Sequence, residues 1–212
     1  LLKLLIEKGP ASHILCVGDV MLDTFYYGEA HRISPEAPIP ILHVTKMTQT
    51  LGGAGNVANN LRALGVKTSL VGSIGNDEAG RKLKGILTQK GIEDDGLVIS
   101  SATQTIVKNR YIAQDQQLLR VDFEETRGVE ASVLNALLEK ATRFLEEADV
   151  LILSDYGKGA LPPFMIQSLL KQAQDLKKIS IVDPKGTDYT VYRGATFVTP
   201  NRKELQEATG LL

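Results

Sequence analysis

Acidic and basic side chains recur just past the apolar runs of this 212-residue sequence. Asp19 and Asp23 follow the first run, and Asp155, Tyr156 and Lys158 follow a later one. Asp183, Pro184 and Lys185 come after the next, and Asn201 and Glu204 after the last. If those runs are parallel strands, these residues stand at the carboxyl ends, where open α/β sheets bind their ligands. Carboxylates there accept hydrogen bonds from sugar hydroxyls, and Lys158 and Lys185 offer point charges to a phosphate. Singly, each residue is as well explained as a turn former or helix cap. The recurrence is what points to a site.

A second candidate is Leu51-Gly52-Gly53-Ala54-Gly55-Asn56-Val57-Ala58. Paired glycines ahead of a helix let backbone N–H groups approach a ligand where a Cβ would collide. The segment also holds Gly53-x-Gly55-x-x-Ala58, a nominal dinucleotide fingerprint. That fingerprint needs an acid at the end of the next strand, where this sequence has Gly72-Ser73-Ile74. A non-catalytic dinucleotide-binding α/β module, which predicts NAD binding, rests on this coincidence alone. No GxxxxGK[ST] phosphate loop is present.

The elements that must position these groups alternate along the chain. Short apolar runs at 14–18, 68–74, 150–153, 179–182 and 196–198 predict buried parallel strands. Helical spacing predicts helices over 56–64, 79–90, 129–147, 162–177 and 201–209, with Gly65 and Gly91 as stops. The runs 39–45, 103–112 and 118–123 alternate instead, like half-exposed antiparallel strands. The expected architecture is α/β: a doubly wound, mostly parallel sheet with helices on both faces and a small β lid within about 24–46 and 103–123.

Composition agrees: 43% hydrophobic and 23% charged residues describe an ordinary globular domain. The single cysteine, Cys16, lies in an apolar run, so it reads as a core side chain in a reducing, cytoplasmic setting. A net charge of −1 offers no bulk field for nucleic acid or an acidic membrane. The stretch 1–6 is apolar but too short to span a bilayer, and it lacks the features of a signal peptide.

Gly52-Gly53, Asn56, Ala58, Gly65 and Gly75 together resemble the N-terminal signature of the ribokinase-like (PfkB) carbohydrate kinases. Gly18-Asp19-Val20-Met21-Leu22-Asp23 looks like that family's first sugar-binding turn, and Asn201-Arg202-Lys203-Glu204 looks like its NxxE motif. The runs RISPEAP (32–38), NRYIAQDQQLLRVDFEE (109–125), LSDYGKGAL (153–161), DPKGTDY (183–189) and RGATFVTPN (193–201) resemble the bacterial heptose 7-phosphate kinases in particular. The similarity runs from about Ile14 to Glu204.

The resemblance implies ATP- and Mg²⁺-dependent phosphorylation of the anomeric hydroxyl of D-glycero-D-manno-heptose 7-phosphate, a step toward ADP-heptose and the lipopolysaccharide core. Another sugar or sugar-phosphate kinase of the family is the alternative. By the same resemblance Asp19, Asp23, Gly52, Gly53 and Asn56 hold the sugar. Lys108, Arg110, Arg120 and Lys185 are candidates for its 7-phosphate, with Asp155 and Lys158 nearby. Asn201 and Glu204 organise the magnesium and phosphate region, Glu204 reaching the metal through water. A homodimer through the lid is implied as well. The family's later Gly-Ala-Gly-Asp motif, which supplies the catalytic base, is absent from the 212 residues, so the base is expected after Leu212. The sequence therefore reads as the N-terminal portion of one kinase domain with the C-terminal part of the fold missing, inactive alone; some relatives carry a fused adenylyltransferase.

Overall fold

A computed structural model of the chain describes residues 11–125 and 128–210. The expectations that concern the stretch 1–6 and the end of the chain at Leu212 lie outside those residues. The parallel strands form one six-stranded sheet. Its members are β1 (His13–Gly18), β4 (Lys67–Gly75), β5 (Leu97–Ser100), β8 (Val150–Ser154), β9 (Ile179–Asp183) and β10 (Phe197–Val198). Their order is β10-β9-β8-β1-β4-β5, and every pairing is parallel. Strand order reverses at β1, so a crevice opens beyond Gly18, between the ends of β4 and β8.

Alternation along β1 explains the two-sided core. Leu15 and Val17 enter one hydrophobic cluster, and Cys16 enters the other. The first cluster is covered by α3 (Ala131–Glu147) and α4 (Pro163–Asp175), through Leu137, Leu145, Met165 and Leu169. The second lies under α1 (Ala54–Ala63) and α2 (Glu78–Gln89), through Ala58, Leu83 and Leu87. Burial pushes the Cys16 thiol up to about 12, which suits the core role expected of it. Gly91, at φ 66°, takes the left-handed position just past α2.

The lid is a separate four-stranded sheet, ordered β3-β2-β6-β7. Its strands are β2 (Val20–Ile33), β3 (Pro40–Gly53), β6 (Ile106–Ala113) and β7 (Gln116–Phe123). Three expectations need correction. β6 pairs with β2 in parallel, not antiparallel, because the chain passes through β4, α2 and β5 before it returns to the lid. The strand expected over 39–45 runs on to Gly53, so Gly52 and Gly53 end it, and α1 begins at Ala54, two residues before Asn56. The glycine fingerprint thus follows a lid strand and not a strand of the parallel sheet, which removes the context that dinucleotide binding requires.

The lid is rooted firmly. Only Asp19 separates β1 from β2. At the entry to β6, the Asp77 carboxylate accepts hydrogen bonds from the Thr105 amide and hydroxyl, both at 2.8 Å, while also capping α2 through the Gly80 amide at 2.7 Å. Among the described residues, no helix is long and apolar enough to cross a membrane.

Candidate active site

The crevice beyond β1 and the inner face of the lid enclose a hollow of about 430 Å³. Strand register decides which side chains face it. On β2, Met21 and Asp23 point inward; on β6, Lys108 and Arg110; on β7, Arg120 and Asp122. The pairings Asp23↔Lys108, Lys108↔Asp122 and Arg110↔Arg120 set these groups side by side. The floor is Gly52, Gly53 and Asn56, and Tyr156, Lys158 and Lys185 close the core side. Nine of the residues predicted from sequence to bind substrate therefore share one hollow.

The glycines are there for space. Gly53 has φ 56°, and a Cβ on it would lie 2.2 Å from the Asp19 carbonyl oxygen. A Cβ on Gly52 would meet Met21 Cγ at 2.6 Å and Asp23 Oδ2 at 2.8 Å. Gly52 thus keeps the Asp23 carboxylate accessible from the hollow.

Each lid cation meets a carboxylate. Arg110 Nη1 stands 2.8 Å from Asp23 Oδ1, an ion contact whose angles fall short of a hydrogen bond, so both atoms keep unspent hydrogen-bonding capacity. The Arg110 guanidinium lies over the Phe25 ring, 5.1 Å from its centroid. Lys108 donates to Asp122 at 2.8 Å and lies 3.5 Å from Glu124. Arg120 donates to the other Asp122 oxygen at 2.9 Å, and Lys158 donates to Glu124 at 2.6 Å. Donation from Lys108 lowers the Asp122 carboxyl, and donation from Lys158 lowers that of Glu124. Arg110 directly opposite Arg120 is unfavourable in a sheet; it fits a surface that receives an anion. Neither Asp122 nor Glu124 was singled out from sequence. The spacing Arg120, Asp122, Glu124 at period two was the available signal.

Other predicted residues stand elsewhere. Asp19 is 3% exposed and lies beneath the hollow, not in its wall. Its carboxylate accepts the amides of Tyr156, Lys158 and Ala160, each at 3.0 Å. Those three bonds shape the loop that presents Lys158. Burial raises its carboxyl, and those three amides oppose the rise. Asp155 is likewise outside the wall, accepting from the Gly157 amide at 2.8 Å and the Tyr192 hydroxyl at 2.7 Å. Asn201 and Glu204 bond each other's backbone at 3.0 and 2.9 Å in a capping box that starts α5 (Arg202–Thr209). Glu204 Oε1 lies 3.9 Å from Lys185 Nζ, which links that region to the rim of the hollow. The Gly-Ala-Gly-Asp run expected after Leu212 lies outside the described residues.

A second cavity, about 420 Å³, lies on the opposite face of the lid, against α2. The charged groups lining it are Asp77, Glu78 and Lys82. That set does not suit an anionic ligand, and Asp77 is already committed to Thr105 and Gly80.

A parallel sheet with a β lid over a sugar-sized, cation-rich hollow defines a carbohydrate kinase scaffold. The profile of the pfkB family carbohydrate kinases matches residues 11–212, and the chain belongs to that family. It is 49% identical over 205 residues to the bifunctional protein HldE of Paramagnetospirillum magneticum, covering 97% of this chain and 42% of that one. It is 43% identical over 204 residues to the D-beta-D-heptose 7-phosphate kinase of Bordetella bronchiseptica, covering 96% and 64%. The chain thus spans less than two thirds of either relative. Among solved structures, Arabidopsis thaliana ribokinase complexed with ribose and ATP superposes with a TM-score of 0.67 at 16% identity, covering 94% of this chain and 63% of that one. Escherichia coli phosphofructokinase-2, in its tetrameric inhibited form, gives 0.71 at 20%, covering 93% and 63%. These likenesses establish the ribokinase-like fold.

Proposed function

We propose that this chain is the sugar-binding part of a cytoplasmic kinase. The reaction is transfer of a phosphoryl group from ATP to the anomeric hydroxyl of D-glycero-D-manno-heptose 7-phosphate. The product, the 1,7-bisphosphate, leads to ADP-heptose and the lipopolysaccharide inner core. One observation carries the reading: Arg110 and Arg120 oppose each other over a glycine floor that leaves Asp23 open to a polyol. The relative named D-beta-D-heptose 7-phosphate kinase supports the same substrate.

In this reading Asp23, Asn56 and the backbone at Gly52-Gly53 hold hydroxyls, and Lys108, Arg110, Arg120, Lys158 and Lys185 receive the 7-phosphate. Asp19 and Asp155 act through the loops they hold. Magnesium suits the region around Glu204. The Asp183 carboxyl is raised, first by burial and then by Glu204 and Asp155, so carboxylates crowd there with Lys185 as the nearby cation. Magnesium is held by few protein groups and through water, which fits so small a set of carboxylates. When bound, it neutralises phosphate charge. Asn201 and Glu204 orient α5 toward that region. No Gly-Ala-Gly-Asp run occurs in the 212 residues, and the chain alone is proposed to bind sugar without turning it over. Exposed Ile33, Ile39, Val44 and Met47 on the lid support a homodimer through that sheet.

Titration calorimetry against heptose 7-phosphate, fructose 6-phosphate and ribose tests the assignment. Tightest binding to the heptose phosphate is expected; tighter binding to ribose overturns it. Heptose-dependent ADP release by the 212-residue chain would remove the claim that it is inactive alone. A strictly monomeric species in sedimentation at several concentrations would remove the dimer.

A further inference from the structure

Glu124 is the first residue beyond β7, where the chain leaves the lid, and Lys158 lies on the loop that Asp19 fixes beyond β8. Their 2.6 Å contact therefore ties lid to core across the mouth of the hollow. Of the charged groups lining it, five are cations and three are carboxylates. The surplus of two positive charges equals the charge of a phosphate monoester dianion.

The carboxylates are held unequally. Asp122 accepts from both Lys108 and Arg120, at 2.8 and 2.9 Å. Asp23 lies in the sheet against Arg110. Glu124 has one close partner, sits past the end of its strand, and keeps 27% of its side chain exposed, so it can turn to water at little cost. We infer that Glu124 sets specificity for phosphorylated sugars, by competing with the ligand's phosphate for Lys158 and Lys108 and yielding them only to a dianion. A neutral sugar brings nothing to replace the Glu124–Lys158 contact. A phosphate brings three acceptor oxygens to the same ammonium groups. This inference rests on the sugar-phosphate reading above.

Glu124→Gln keeps the shape and removes the competing charge. Calorimetry on the 212-residue chain, with heptose 7-phosphate and with inorganic phosphate, is expected to show binding tightened by about threefold or more, the scale of a partly exposed ion pair. Binding of the unphosphorylated heptose should not change. In a Lys158→Met background the gain should vanish. Unchanged or weaker phosphate binding by Glu124→Gln, no detectable phosphate binding by that variant, or a gain that survives in Lys158→Met overturns the inference. Titration with ATP separates the two sources of phosphate: a gain confined to ATP overturns the assignment to the sugar. If heptose 7-phosphate fails to bind the unmodified chain, the functional reading falls, while the inorganic phosphate series still decides the role of Glu124.

Discussion

The carboxylate of Asp19 receives the amide of Ala160 at 3.0 Å across 141 positions of sequence. That bond, with those from Tyr156 and Lys158, makes one acid at the topological switch point the organiser of the opposite loop. Asp19→Ala leaves three amides without their acceptor and is expected to cost about 2–4 kcal/mol. Asp19→Asn, which can keep part of the set, should cost about half as much. Urea unfolding of the two variants checks the order; equal stability to the parent would contradict it.

The glycine floor separates a folding effect from a binding effect. Gly53→Ala places a methyl 2.2 Å from a backbone oxygen at φ 56°, and a loss of about 2 kcal/mol or more is expected. Gly52→Ala meets side chains rather than backbone, Met21 Cγ at 2.6 Å and Asp23 Oδ2 at 2.8 Å, so it should cost less stability than Gly53→Ala yet bind sugar phosphate about tenfold more weakly, for about 1.4 kcal/mol. Thermal melts and calorimetry on both variants distinguish the two.

Tyr192 is buried, with its hydroxyl donating to Asp155 at 2.7 Å and accepting from the Lys185 amide at 2.9 Å. Burial, with Asp155 beside it, holds the phenol above its ordinary range. Tyr192→Phe is expected to lower stability by about 1–3 kcal/mol and to loosen Lys185, weakening phosphate binding more than neutral sugar binding. Equal weakening of both ligands would show that Lys185 does not depend on this contact.

Acid stability should report the root of the lid. Burial alone would raise the Asp77 carboxyl, but donation from the Thr105 and Gly80 amides brings it below its ordinary value. A carboxyl depressed in the folded state contributes stability above its unfolded pKa, near 4. That contribution is lost as pH falls through the folded value. Asp77→Asn should therefore flatten the fall in stability between about pH 5 and 3. An unaltered slope in urea titrations across that range would show that Asp77 contributes nothing to it.

Much of the core was legible because its signals are local. Apolar runs marked β1, β4, β8 and β9, and Gly91 marked the end of α2 as read from sequence. β5, an edge strand whose Ile99 is exposed, was not read as a strand. The parallel pairing of β2 with β6 was hidden for a different reason: alternation reports that a strand has two faces, not the direction of its neighbour. For the hollow, Asp23, Gly52, Gly53, Asn56 and the cations were found from motif and residue type. The depth of Asp19 was not, since a buried acid and an exposed one look alike in a sequence until their amide partners are known. Glu124 was passed over because its meaning depends on Lys158, thirty-four residues away.

With Asp19 alone between β1 and β2, the corner has no slack. Fourteen residues of β2 extend from it, roughly 45 Å of strand at about 3.3 Å per residue. The ribbon is therefore a lever on a short fulcrum. A tilt of about five degrees at such a root would carry the far end of a straight strand through about 4 Å over that length.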